Sequence, residues 1–203
     1  MSTSLAWDDR YAGGGFQFGR APNEYLRAQG WRLRPGSSAL AVGDGEGRNG
    51  VWLAREGLAV TTLDWSATGV AKAREFAAAE GVALDARQAD VARCDWSPAE
   101  HDLIAWIYLH LPPEDRTLAA AGCVHALRPG GLLVLECFAP AQEGRRSGGP
   151  KSPAMLWSRA VVEQEFAALE ILELTEGAVR LYEGPRHQGL AEVVRAVLRK
   201  PVS

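Results

Sequence analysis

The chain has 203 residues, 47% hydrophobic and 23% charged, which suits one globular domain that buries a full core without metal or disulfide staples. A net charge of −3 with dispersed arginines argues against a broad electrostatic grip on nucleic acid and favours small-molecule or protein partners. The three cysteines, Cys94, Cys123 and Cys137, have no C-x-x-C spacing and no histidine arranged for zinc, so free thiols and no metal are expected.

The N-terminus MSTSLAWDDRY has no secretory pattern, and no stretch approaches the length of an apolar membrane span, so a cytoplasmic protein is expected, monomeric or weakly dimeric. Residues 1–37 carry Trp7, Tyr11, Phe16, Phe18, Tyr25 and Trp31 around a Gly13-Gly14-Gly15 joint. An aromatic arm with a flexible joint suits a lid, or equally a cover over one end of the core. Pro22-Asn23 then opens a short helix, NEYLRAQG, closed by Gly30.

The centre of the sequence is ALAVGDGEGRNGVWLAREG, from Ala39 to Gly57. Ser38 to Val42 is a short apolar run fit for a buried strand, Gly43, Gly45 and Gly47 follow, and the pattern turns helical from Arg48. Strand, glycine turn and helix make the first βα unit of a doubly wound sheet, where the backbone lets a nucleotide-type cofactor approach closely. Dinucleotide binders use G-x-G-x-x-G; here the third glycine comes one residue early and Arg48 takes its place.

The second strand, AVTTLD, ends at Asp64, whose carboxylate can accept both hydroxyls of a ribose or, alternatively, cap the next helix. Ser66 caps a helix running to Glu80-Gly81, a third strand lies near ALDARQ, and Asp90-Val91 follows it as an adenine contact or a plain turn. HDLIAWI is apolar throughout, as a strand covered on both faces must be, and is expected at the sheet centre. Tyr108 to Leu111 and Pro112-Pro113 break the chain before a helix that stops at Arg128-Pro129-Gly130-Gly131.

His110 lies in the loop expected to flank the ligand, as a chemical group or as hydrogen-bonded structure. Glu136, inside the fifth strand LLVLECF, needs a partner if buried. Ala139 to Pro153 reads as a mobile wall of a substrate pocket. After a helix from Ser158 to Phe166, LEILELTE and EVVRAVLRK alternate as two strands joined by a wide connection. That connection holds Arg186 and His187, a cation and a titratable base able to hold an anionic acceptor and take its proton, or simply a solvated polar turn.

Several segments together, WDDRYAGGGFQFGRAPNEYL, AVGDGEGRNGVWLAREG, TTLDWS, QADV, HDLIAWIYLHLPP, ALRPGGLLVLECFAP and EGPRHQG, resemble small bacterial class I S-adenosylmethionine-dependent methyltransferases of the tellurite-resistance (TehB-like) and thiopurine-methyltransferase-related group. The resemblance spans nearly the whole chain. It implies a Rossmann-like α/β fold with a seven-stranded, mostly parallel sheet, helices on both faces and an antiparallel last strand. It also implies one domain, divided into a lid segment (1–37), a cofactor-binding core (38–138) and a substrate-side loop with closing strands (139–203).

By the same correspondence, Gly43, Gly45 and Gly47 would line the methionine part of S-adenosylmethionine, Asp64 the ribose, and Asp90 with Val91 the adenine, with Asp44, Arg48, Asn49, Trp65 and Ser66 among the further cofactor contacts. Trp106 and Ile107 would offer backbone near the amino group. Trp7, Tyr11 and Phe18 match the family's lid, and Arg186 with His187 its polar pair, with His110 as a second candidate base. The implied reaction is methyl transfer to a small soft or anionic acceptor, such as a metalloid oxyanion or a thiol.

Two positions depart from the family pattern. Ala41 stands where an aspartate is usual, and Asp44 where a small residue is usual, bringing a carboxylate near the methionine carboxylate of the ligand. These departures motivate a second reading, a non-catalytic S-adenosylmethionine-binding protein. A third, a nicotinamide-dependent oxidoreductase, fits Asp64 but not the glycine spacing.

Overall fold

The computed structural model describes residues 4–202. Seven strands form one sheet in the order β3-β2-β1-β4-β5-β7-β6. They are β1 (Ser38–Val42), β2 (Ala59–Asp64), β3 (Asp85–Gln88), β4 (His101–Ile107), β5 (Leu127–Phe138), β6 (Glu170–Glu183) and β7 (His187–Arg199). The first five run parallel, and β7 lies antiparallel between β5 and β6. Strand order reverses between β1 and β4, and β4 occupies the middle of the sheet as its unbroken apolar run requires.

Alternation along the central strands supplies two core layers. Leu40, Val42, Ile104, Trp106, Leu133 and Leu135 point to one face. There they meet Ala119, Ala120 and Cys123 of α5 (Pro113–Ala126) together with Trp157 and Phe166, which flank α6 (Arg159–Glu165). Ala39, Ala41, Leu103, Ala105, Ile107 and Val134 point the other way, against Leu26 of α2 (Glu24–Ala28) and Leu53 of α3 (Arg48–Arg55). Ala41 is a buried core residue of this layer, on the side of α2 and α3.

Helix ends follow sequence signals. Asn23 caps α2 by accepting from the Leu26 amide, Ser66 caps α4 (Ala67–Ala79) by accepting from the Gly69 amide, and Pro113 opens α5 at its first position. The helix stop expected at Arg128–Gly131 is instead the irregular start of β5, whose pairing shifts register opposite His101 and Leu103. Cys123 and Cys137 are buried thiols, whereas Cys94 is partly exposed; all three are free.

The last two strands differ more from expectation. The connection predicted to be wide is a tight turn over Gly184–Arg186, because β6 continues to Glu183 and β7 starts at His187. Phe138, the last residue of β5, pairs with Val193. The hairpin tip, from Leu181 to Leu190, thus rises beyond the carboxyl ends of the parallel strands and folds over them.

Candidate active site

The glycine turn after β1 uses positive φ at Gly43 (63°), Gly45 (54°) and Gly47 (86°), backbone that L side chains rarely adopt. The tight packing of helix on strand falls to Gly50 as well as Gly47. A Cβ at Gly50 would stand 2.3 Å from Cγ2 of Thr62 on β2, and one at Gly47 would stand 2.7 Å from Cβ of Ala73 on α4. The motif is therefore longer than the glycine triplet shows.

Asp44 turns away from the open side of this turn. Its Oδ1 accepts from the backbone N–H (3.3 Å) and Nδ2 (3.0 Å) of Asn49, and its Oδ2 accepts from the Gly50 amide at 2.8 Å. The carboxylate thus satisfies the free amides of α3, next to the positive end of its dipole. Burial raises its pKa to about 6 against these hydrogen bonds. Arg48 and Asn49 are engaged elsewhere too: Asn49 Oδ1 accepts from the Asn23 amide, and Arg48 forms a 2.7 Å ion pair with Glu183 at the end of β6.

At the foot of the turn, the Asp64 carboxylate accepts from the Gly45 amide at 2.7 Å and from the Ser66 amide at 2.8 Å. Burial raises its pKa to about 6, opposed by those amides. Trp65 is half exposed beside it. Asp90 accepts from the Ala92 amide at 3.0 Å and pairs with Arg93 at 2.9 Å, while Val91 is buried. Trp106 is wholly buried, with its indole donating to the Leu109 carbonyl, and Ile107 packs in the layer under α3.

The N-terminal arm closes over this rim. In α1 (Ser4–Tyr11), Asp8 accepts from the Ser66 hydroxyl and the Thr68 amide, docking the helix on the start of α4. Tyr11 is buried, stacked on Trp7 at 5.6 Å, with its hydroxyl 2.4 Å from where a Gly45 Cβ would stand. Lys72 ties the glycine joint down through the carbonyls of Gly13 and Gly15 and the carboxylate of Glu46, which also accepts from the Gln17 amide. Arg186 is exposed and donates to the Gln17 side chain at 2.9 Å.

Arg186 and His187, adjacent in sequence, are separated in space. His187 is buried in a box of Phe18, Tyr108 and Phe138, at ring separations of 4.8, 4.4 and 5.4 Å. Its Nδ1 is buried without a hydrogen-bond partner, and burial lowers its pKa to about 3. Of the two roles open to His110, its contacts are those of hydrogen-bonded structure: Nδ1 donates to the Met155 carbonyl at 2.9 Å, and Nε2 accepts from the Phe138 amide at 3.3 Å. With both nitrogens engaged and burial lowering its pKa to about 4, His110 pins the 139–157 segment to β5 and has no lone pair left for a proton.

Three site neighbours, Tyr108, Arg195 and Glu183, escaped the sequence reading, while Glu136 was expected to need a partner and has one. Tyr108 holds φ at +52°, a strained conformation for a bulky residue of the kind that collects at functional sites. Its hydroxyl donates to the fully buried Glu136, which is also paired with Arg195 at 2.8 Å. Glu183 joins Arg48 to Asn23 and to the Glu24 amide. Charged residues in a strand pattern were the available signal; their partners lie too far away in sequence to be read.

Residues 39–131 match a family described as a methyltransferase domain. A 78-residue stretch is 37% identical to the carboxy-S-adenosyl-L-methionine synthase of Chromohalobacter salexigens, covering 37% of this chain and 29% of that protein, so the chain spans under a third of this relative. The fold is similar to NodS, an N-methyltransferase from Bradyrhizobium japonicum in complex with S-adenosyl-L-homocysteine (TM-score 0.72, 18% identity, 98% of this chain and 100% of that one). It is also similar to TehB from Haemophilus influenzae (TM-score 0.72, 16% identity, 96% of this chain and 65% of that one). A structure solved in work on conversion of a disulfide into a thioacetal group during echinomycin biosynthesis aligns with TM-score 0.79 and 21% identity over 98% of this chain and 92% of that one. Residues 39–131 thus match a methyltransferase-domain family, and over nearly the whole chain the fold is similar to that of NodS and TehB.

Proposed function

We propose that the protein transfers a methyl group from S-adenosylmethionine to a small acceptor under the β6–β7 hairpin. The observation that carries this reading is the Asp64 carboxylate, held by two backbone amides at the foot of a glycine turn that Tyr11 roofs. In this reading Asp64 accepts the ribose hydroxyls, Gly43, Gly45 and Gly47 give the methionine part its close approach, Asp90 and Val91 flank the adenine, and Trp106 and Ile107 offer backbone near the amino group. Because Asp44 is spent on α3, its carboxylate does not confront the ligand, which supports a catalytic over a non-catalytic reading.

The bound sulfonium supplies an electrophilic methyl carbon. The chain's part is then alignment and exclusion of water: Trp7 and Tyr11 cover the cofactor side, and the hairpin tip covers the acceptor side. Entry requires the arm to lift at Gly13–Gly15, whose carbonyls are held by Lys72 through polar, reversible bonds. Tellurite is not carried over from TehB, since that likeness is one of fold.

Calorimetric titration of the purified chain with S-adenosylmethionine, S-adenosylhomocysteine and NADH tests the reading. Micromolar binding of the adenosyl ligands alone is expected. Tight NADH binding with no adenosyl binding would return the oxidoreductase reading and overturn this one.

A further inference from the structure

β6 is the outer strand of the sheet, and among the described residues no further strand lies beside it. The direction of its backbone groups follows from β7. The Glu192 carbonyl accepts from the Ala139 amide at 2.9 Å and the Glu192 amide donates to the Gln142 side chain at 2.8 Å, so both groups point away from β6. Ala178, which lies opposite Glu192, therefore turns its own N–H and C=O to the free edge. The Leu190 carbonyl accepts from the Ser147 hydroxyl at 2.8 Å, which gives Arg180, opposite Leu190, the same orientation. Alternation adds Glu176 and Tyr182, and all four residues are exposed.

Arg159, which donates to the Leu174 carbonyl at 3.0 Å, closes the lower end of this free stretch, and Phe18 and Gly19 of the arm pack against Gly184 beyond its upper end. Between them Thr175 to Tyr182 run with no proline, and the register shift in the β6–β7 pairing lies below, between Ile171 and Glu173. The usual devices that blunt an open edge are thus missing from it. Its two charges, Glu176 and Arg180, are of opposite sign and stand symmetrically about Ala178. When two β6 strands pair antiparallel about a twofold axis at Ala178, Glu176 of each copy stands opposite Arg180 of the other, and both ion pairs form at once. An axis at Gly177 or Val179 sets the charges against uncharged residues, and one at Glu176 or Arg180 sets a charge against its own like.

We propose that two copies of this chain associate through β6, antiparallel about Ala178, into one continuous sheet. Glu176 with Arg180, Ala178 with Ala178 and Arg180 with Glu176 are then residue pairs that each exchange both N–H···O=C bonds. Tyr182, 74% exposed in the single chain, lies beside Leu174 of the partner subunit. A seam of this length covers less than the roughly 800 Å² per partner of a standard interface, so the dimer is weak, with a dissociation constant of about 10–100 µM. The association is independent of the methyltransferase reading. Its effect on the candidate site is to steady β6, whose end holds Glu183 against Arg48 at the start of α3.

Sedimentation equilibrium of the full chain, from about 1 to about 300 µM, tests the pairing. The mass should rise from one chain to two across that range. Ala178→Pro removes an amide that β7 does not use, so it should leave a folded monomer at every concentration. Arg180→Glu and Glu176→Arg each set like charges opposite one another and should weaken association at least roughly tenfold, whereas an equimolar mixture of the two variants, or both changes in one chain, should restore it. The charge variants stand apart from any effect of proline on folding. A single monomeric species up to about 300 µM, or a dimer as strong in Arg180→Glu as in the parent, or no recovery in the mixture and in the doubly changed chain, overturns the proposal.

Discussion

Replacing Glu183 with alanine would strip Arg48 of its carboxylate partner in a place where neither side chain meets water: they are 7% and 2% exposed. Arg48 would retain only a 3.4 Å contact to the Ala21 carbonyl, and Asn23 Nδ2 and the Glu24 amide would each lose a 2.9 Å acceptor. Breaking one partner of a buried pair costs about 3–5 kcal/mol, a large share of the roughly 5–15 kcal/mol that holds a domain folded. The double replacement Arg48→Met with Glu183→Leu removes both charges, leaving the lost acceptor of Asn23 and the Glu24 amide as its main cost, about 1–3 kcal/mol and far from the sum of the two single losses. Urea denaturation of the four proteins measures this cycle. Single losses below about 1 kcal/mol, the range of solvated ion pairs, would refute a buried clamp joining α3, the N-terminal arm and the hairpin tip.

Gly50→Ala should cost about 1–3 kcal/mol by forcing α3 off Thr62, and Thr62→Ser, which removes Cγ2, should restore part of it; equal midpoints with and without Thr62→Ser would reject the contact. Stability should vary little between about pH 4 and 6, because two effects oppose each other there. His110 and His187, lowered to about 4 and 3, contribute stability that is present above 6.5 and lost as pH falls, whereas Asp44 and Asp64, raised to about 6, contribute stability that is present below 3.8 and lost as pH rises. Asp44→Asn should unmask a rise of about 1.4 kcal/mol per pH unit across that window, and an unchanged slope in denaturation series would contradict it. Thiol titration of the folded chain should modify Cys94 first, with Cys123 and Cys137 reacting only on unfolding; a fast second thiol would show that the core opens locally.

Much of the fold was legible because local chemistry and periodicity agree. An apolar run followed by glycines with positive φ announces a strand and a close-approach turn, and HDLIAWI can only be a strand covered on both faces. Asp64 was placed beside the glycine turn by spacing alone, and the structure puts its carboxylate on the Gly45 amide. Side-chain direction was not legible in this way. Asp44 and Asp64 are both carboxylates at strand ends, yet one caps α3 and the other remains beside the turn, a choice made by which amides lie within 3 Å.

The same limit governs the histidines. Arg186 and His187 read as one polar pair, but the turn ends between them: Arg186, the last turn residue, meets solvent and Gln17, whereas His187, the first residue of β7, enters the aromatic box. The extension of β6 and β7 past the end of β5 was hidden because hairpin length depends on what the tip packs against. The sequence by itself determined the alternation of strands and helices and the glycine turn, since these rest on periodicity and backbone conformation within short windows. Tertiary structure alone decided which buried charges pair, which histidine keeps a free nitrogen and where the hairpin tip lies, because each depends on groups far apart in the chain brought within hydrogen-bond distance.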